Sequence, residues 1–342
     1  MAVHERRHAR EYSGARVLIT GGLGFIGSNV ARALVNAGAH VTLVDSLIPE
    51  YGGNLFNIHD ICDRVRVNIS DVRNAAAMQH LVQNQDHLFN LAGQTSHIDS
   101  MTDPFTDVSI NCVAQLAILE TCRAHNPRIK IVYASTRQLY GKPQYLPVDE
   151  RHLLQPVDVN GINKMAGEWY HILYHNVYGI RTAALRLTNT YGPGMRMKDA
   201  RQTFLGIWVK NVLSGAPIDV YGDGRQRRDF NYVTDVVDAL LLTGADERAN
   251  GQVYNLGSEE VYALEEVAKL VIQANGAGTF RLIPFPAARK VIDIGDYYAD
   301  FSKIKAALGW SARVPMAEGL RDTLAYYRAH GAHYWEQGQA TQ

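Results

Sequence analysis

Apolar residues fall along the first half of the chain in two alternating patterns. Short, nearly unbroken runs at 16–20 (RVLIT), 40–45 (HVTLVD), 65–68, 87–92 (HLFNLA), 130–135 (KIVYAS) and 182–187 (TAALRL) predict strands, because a strand covered on both faces has no need of a polar side. Between most of them apolar positions recur at helical spacing, as over 25–37, closed by Gly38, and over 105–123, opened by Asp103-Pro104. Those residues suit a helix end and a helix start. Repeated strand–helix–strand units imply an α/β fold with a doubly wound parallel sheet. After about Asn189 the pattern loosens into Gly/Pro turns (YGPG, YGDG, LGS) and scattered helices, without a low-complexity linker. The expectation is a sheet domain over 14–188 and a smaller lobe over 189–335, partly interleaved with it.

Composition narrows the function classes. The chain has 342 residues and 46% hydrophobic content, enough for a substantial core. Lys and Arg together number 34, as do Asp and Glu, with no basic block. That balance argues against a broad electrostatic footprint for nucleic acid or a membrane and makes a small molecule the expected partner. No apolar run reaches spanning length, and MAVHERRHAREYSG is too polar for a signal peptide, so residues 1–14 are expected to be a short disordered arm. Cys62, Cys112 and Cys122 are odd in number and lack a C-x-x-C spacing, which suits a reducing, cytoplasmic setting.

The strongest local signal is VLITGGLGFIGSNVARAL, a strand, then Gly21, Gly24 and Gly27, then a helix. Glycines at that spacing let backbone N–H groups and the helix N-terminus approach a pyrophosphate. Asp45 ends the next strand, where a carboxylate accepts from an adenosine ribose and repels a 2′-phosphate, favouring NAD over NADP.

In this order, TGGLGFIG, Asp45, the stretch around Asp71, LFNLAG, STRQLYG, the lysine of NGINKMAGE, RLTNTYGPG, VYGDGRQRRDFNYVTDV and VYNLGS resemble the extended short-chain dehydrogenase/reductases. More narrowly, they resemble the NAD-dependent sugar-nucleotide epimerase/dehydratase family. The resemblance implies a Rossmann domain holding NAD with Gly21, Gly24, Phe25, Ile26, Gly27, Asp45, Asp71, Val72, Leu91, Ala92, Gly93 and Lys164. It implies a nucleotide-diphosphosugar substrate met by Gln94, Thr95, Ser96, Arg137, Asn189, Phe204, Arg228 and Asp296. It also implies a homodimer formed through the helices that carry Asn111 and Lys164, and an epimerase that oxidises its sugar transiently and reduces it again.

Family catalysis uses a Ser or Thr, a Tyr base and a Lys four residues later. The first falls here on Thr136 and the last on Lys164, but the tyrosine position falls on Asn160. An amide cannot cycle a proton near neutral pH. The proton carrier is then Lys164 itself, Tyr140, Tyr191 or His97; or the enzyme is slow; or it is a silent NAD-bound scaffold; or Asn160 is an introduced substitution. An oxidoreductase acting on the same substrates is a further alternative.

Family dehydratases carry an Asp-Glu pair after the Thr. Arg137 and Gln138 stand there instead, which opposes dehydration and leaves Arg137 to meet an acidic substituent on the sugar or to form a structural ion pair. Asp293 replaces an expected arginine and would repel a pyrophosphate, so either Arg289 or Arg225 compensates or the substrate is not a standard diphosphosugar. Glu168, His171 and His175 share a helical face read as solvated or dimer-facing. Phe204, Ile207 and Trp208 read as core, or as a lining for the nucleotide base.

Overall fold

The computed structural model describes residues 10–48, 50–199 and 203–335. Among them the strands are β1 (Arg16–Thr20), β2 (His40–Asp45), β3 (Val65–Ile69), β4 (His87–Asn90), β5 (Lys130–Thr136), β6 (Arg181–Leu187), β7 (Asn189–Tyr191), β8 (Ile218–Tyr221), β9 (Arg227–Tyr232), β10 (Val253–Asn255), β11 (Val261–Ala263) and β12 (Phe280–Ile283). Seven of them form one sheet in the order β10-β6-β5-β4-β1-β2-β3, every pair parallel. The chain runs outward from β1 through β2 to β3, then crosses back to β4, so the strand order reverses between β1 and β4. A crevice opens at such a reversal, beyond the carboxyl ends of the strands.

Both faces of the sheet are covered, which is why its strands lack a polar side. Val17 and Ile19 pack with Val30, Leu34, Phe89 and Leu240 on one face, while Leu18 packs with Val44, Leu88, Ile118 and Ile131 on the other. A third apolar cluster joins Tyr191, Trp208, Phe230, Val267 and Leu320 beneath the smaller sheets β11-β9-β7 and β12-β8. The chain beyond Asn189 also returns to the large sheet, where β10 pairs with β6 and Trp310 enters the core. No helix among the described residues is long and apolar enough to cross a membrane.

Three sequence expectations need correction. β4 stops at Asn90 because the next two amides, Leu91 N and Ala92 N, donate to the Thr20 hydroxyl and leave the ladder. The helix expected over 105–123 is Pro104–Val108, a widened π turn at Ser109–Val113, and Ala114–His125; Gln115 Nε2 donates to Ile110 O at 3.0 Å inside the widened turn. Of the expected disordered arm, residues 1–9 lie outside the described residues, but Tyr12 is fully buried and donates to Leu241 O.

The helix Val159–Tyr178 turns its Glu168 and His171 inward, correcting the solvated reading of that face. Glu168 forms a buried ion pair with Arg186 at 2.6 Å and accepts from Ser135 Oγ. His171 stacks on Tyr133 at 4.3 Å, with Nδ1 against Gly167 O and Nε2 against Asn90 Nδ2. His175 sits at the helix end, with Nδ1 3.0 Å from Ile180 O. Burial pushes the His171 and His87 imidazoles down to about 4. The unfolded chain therefore takes up these protons below about pH 6.5 while the folded chain refuses them, so stability is full above that pH and falls toward pH 4. Each group accounts for about 2–3 kcal/mol. The urea midpoint should drop steeply between pH 6.5 and 4, and His171→Phe, though less stable at pH 7, should show a visibly shallower drop.

Candidate active site

The turn after β1 meets the turn after β4. Gly21 has φ +67°, and a Cβ there would lie 3.0 Å from Ala92 N; a Cβ on Gly27 would lie 2.2 Å from Gly21 O. No side chain fits at either point. The helix Phe25–Asn36 consequently starts hard against the loop, and its N-cap, Gly24, brings no capping side chain. Its first N–H groups face the crevice, a setting that accepts an anion. Asp45, at the end of β2, accepts from Leu23 N at 3.1 Å and Leu47 N at 2.9 Å; burial raises its carboxyl against those two bonds. The crevice is lined by Gly21, Gly24, Phe25, Ile26, Gly27, Asp45, Asp71, Val72, Leu91, Ala92, Gly93 and Lys164, the whole set expected for a dinucleotide. The glycine cradle, the open helix end and the ribose-level carboxylate fit NAD.

Deeper in the crevice stand Thr136, Asn160 and Lys164. Thr136 Oγ1 accepts from Gln138 N, starting the short turn that carries Arg137. Lys164 Nζ donates to Ala134 O at 3.1 Å. A Cβ at Gly93 would lie 2.9 Å from both Lys164 Nζ and Asn111 Oδ1, so glycine alone leaves room for them. Burial pushes the Lys164 ammonium down to about 8, against the pull of Asp107. Asn111 donates to Gln94 O, and its Oδ1 is sealed without a partner.

Asn160 is integrated rather than vacant. Its Nδ2 donates to Gln94 O at 2.8 Å and to Asp107 Oδ2 at 3.0 Å, while Asn163 Nδ2 donates to Asp107 Oδ1 at 2.8 Å. Asp107 is fully buried, so two amides one helical turn apart satisfy a carboxylate that water does not reach. A phenol brings one O–H and a ring where this arrangement needs a compact double donor. Neither Asp107 nor Asn163 was singled out from sequence; the N-x-x-N spacing was the available signal, and its partner was invisible.

Two of the alternative bases are removed by position. Tyr140 is fully buried between Arg186 and Asn255, accepting from one and donating to the other, and burial pushes its phenol up. Tyr191 lies in the third apolar cluster, its phenol likewise raised by burial. Neither lines the crevice. His97 does, and its Nδ1 stands 3.0 Å from Asp158 Oδ2, an ion-pair distance off the line of a directed hydrogen bond. Burial works to raise the Asp158 carboxyl, but His97, Gly161 N and Gln138 Nε2 together hold it below its usual range.

A second compartment continues from the first, and His97, Arg137, Asn189 and Thr203 line both. Beyond that lip lie Phe204, Ile207, Trp208, Gln226, Arg228, Arg289 and Asp293. Phe204 meets Trp208 edge-on at 4.8 Å. The Arg228 guanidinium donates to Arg227 O and Gly295 O and lies 3.6 Å from Asp293; burial first, then the charge of Arg137, pushes it down to about 9. Asp293 does not face the cleft as a bare charge, because Gln226 Nε2 and Gly295 N both donate to it. Three expected substrate contacts lie elsewhere. Gln94 and Ser96 bond to each other and shape the turn before His97, leaving Thr95 as the lining residue between them. Asp296 accepts from Arg227 N and steadies β9. Arg225 also lies outside both linings.

The NAD dependent epimerase/dehydratase family matches residues 17–257. The chain is 31% identical over 306 residues to a putative UDP-glucose 4-epimerase of Methanocaldococcus jannaschii, covering 89% of this chain and 96% of that one. It is 30% identical over 330 residues to a dTDP-glucose 4,6-dehydratase of Streptomyces niveus, covering 94% and 95%. Among solved structures, the dTDP-glucose 4,6-dehydratase DesIV of Streptomyces venezuelae, with NAD bound, superposes with a TM-score of 0.85 at 25% identity, over 94% of this chain and 99% of that one.

The Asp107 clamp makes a measurable demand. Asn160→Leu removes one donor from a buried carboxylate and should cost about 1–3 kcal/mol in urea unfolding. Combining it with Asp107→Leu should cost less than the sum of the two single changes, because the stranded charge is then gone. Strict additivity would show that the two side chains are not coupled.

Proposed function

Since the chain belongs to the NAD dependent epimerase/dehydratase family, we propose that it is a nucleotide-sugar epimerase in which His97, oriented by Asp158, carries the proton that a tyrosine carries elsewhere in the family. The observation that carries the reading is the lip shared by the two compartments: among the described residues His97 is the only histidine lining either, and it lines both. A sugar at that lip has its diphosphate toward Arg228 and its reacting carbon toward Thr136 and Lys164.

NAD held in the first compartment supplies a hydride acceptor that later returns the hydride. Thr136 Oγ1 would orient the reacting hydroxyl and His97 would take the proton from its oxygen as the carbon that bears it is oxidised to a carbonyl. His97 would give the same proton back to the oxygen when the carbonyl is reduced on its opposite face, so that carbon is inverted and no atom or electron is left over. Lys164, next to Gly93 in the lining of the same compartment, would help to hold the cofactor. Water elimination is disfavoured because Gln138 is tied to Asp158 and Arg137 is a cation, so neither is placed to exchange protons with the sugar. Two observations support other readings: the depressed Lys164 amine is a competing proton carrier, and the amide at 160 suits a silent scaffold.

Incubation with epimeric pairs of UDP- and dTDP-sugars should interconvert one pair, read by chromatography. His97→Ala should lower turnover by about 10²–10⁴, with partial recovery on adding imidazole. Turnover unchanged in His97→Ala transfers the proton to Lys164, and an inactive wild type that still binds NAD leaves the scaffold.

A homodimer completes the proposal. Phe105 (82% exposed), Val113, Ile162, Trp169 (57% exposed), Leu173 and Val177 form an uncovered apolar face on two adjacent helices, larger than scattered surface residues explain. The three free cysteines Cys62, Cys112 and Cys122 suit a cytoplasmic setting. Trp169→Glu with Leu173→Glu should halve the mass seen by sedimentation.

A further inference from the structure

Arg137 is a cation with nothing to hold. Among the described residues its guanidinium makes no ion pair and donates no hydrogen bond; Nη1 is sealed from solvent and partnerless. Its one neighbour of note is the Tyr297 ring, 5.4 Å from the guanidinium carbon. The two carboxylates that act on it electrostatically are Asp229 and Asp293. Asp229 is taken by Thr188 Oγ1 and Ala299 N, and Asp293 by Gln226, Gly295 N and Arg228. An unmet guanidinium with a sealed N–H in a cleft wall is costly unless a ligand completes it.

Its position says which part of a ligand that is. Arg228 and Arg289 line the second compartment alone, where the nucleotide and its phosphates would lie. Arg137 follows Thr136 directly in the chain and lines both compartments, level with the sugar. Building on the nucleotide-sugar reading, we propose that the sugar carries a carboxylate and that Arg137 binds it, so the substrate class is the nucleotide-diphosphate uronic acids. A guanidinium fork presents two parallel N–H groups to a planar carboxylate. A neutral sugar in the same place leaves the charge unpaired and is disfavoured for that reason.

The test compares UDP-glucuronate with UDP-glucose, which differ only in the carboxylate, by calorimetry on the NAD-loaded protein. The dTDP and GDP pairs are used in turn if UDP ligands do not bind. Wild type should favour the acid by about ten- to a hundredfold. Arg137→Met should abolish that preference by weakening the acid far more than the neutral sugar, and Arg137→Lys should retain part of it, whereas Arg228→Met should weaken both alike. Equal binding of acid and neutral sugar by wild type overturns the proposal while leaving the nucleotide-sugar reading intact. Equal weakening of both in Arg137→Met overturns it too, making Arg137 a phosphate anchor. Failure of every nucleotide sugar to bind removes the parent reading and the inference with it. Should Arg137→Met fail to hold NAD, the wild-type ratio and Arg137→Lys decide the matter.

Discussion

The arrangement of the site rests on the polar docking of one helix, Val159–Tyr178, onto the sheet. An ordinary amphipathic helix presents an apolar stripe to the core, but this one buries Asn160, Asn163, Lys164, Glu168 and His171. Burying so many polar groups is tolerable only if each has a partner. Asp107 receives the two amides, Ala134 O the amine, Arg186 the carboxylate, and Gly167 O with Asn90 the imidazole. Such a set is satisfied in one register only, so it fixes rotation and depth together. In that register Lys164 lies against Gly93 and donates to Ala134 O.

That docking changes the meaning of Asn160. Considered against the family's tyrosine, it is a loss; considered against Asp107, it is half of a clamp that a tyrosine would disturb. The same helix begins at Asp158, whose carboxylate caps Gly161 N and reaches His97. The amide at 160 and the Asp158–His97 pair therefore belong to one helix N-terminus. Charge at the lip follows similar logic. Carboxylates near Arg137 are already engaged, so among the described residues its cation stays unpaired where the two compartments meet.

Much was legible in the sequence because it depends on neighbours in the chain. The strand runs, the glycine spacing, Asp45 at a strand end and Lys164 one turn after position 160 all follow from local geometry, which residue type and spacing report directly. The end of β4 was misplaced because Thr20, seventy-one residues from Leu91, captures its amide; a run of apolar residues continues past the point where its hydrogen bonds turn aside. Glu168 and His171 read as outward in the sequence because polarity usually means solvent, and their buried partners come from β6 and β4.

By itself, then, the sequence determined the doubly wound sheet, the dinucleotide crevice and the departure at position 160, since each is carried by residues adjacent in the chain or one turn apart. Only the tertiary structure decided that Asn160 serves Asp107, 53 residues away, that Tyr140 and Tyr191 are sealed in cores, that His97 meets Asp158, and that Arg137 is left without an acceptor. Those are questions of which polar groups share a desolvated space. Desolvation belongs to the packed molecule, where a partner is chosen by proximity in three dimensions and an unpartnered group shows only once all its neighbours are in place.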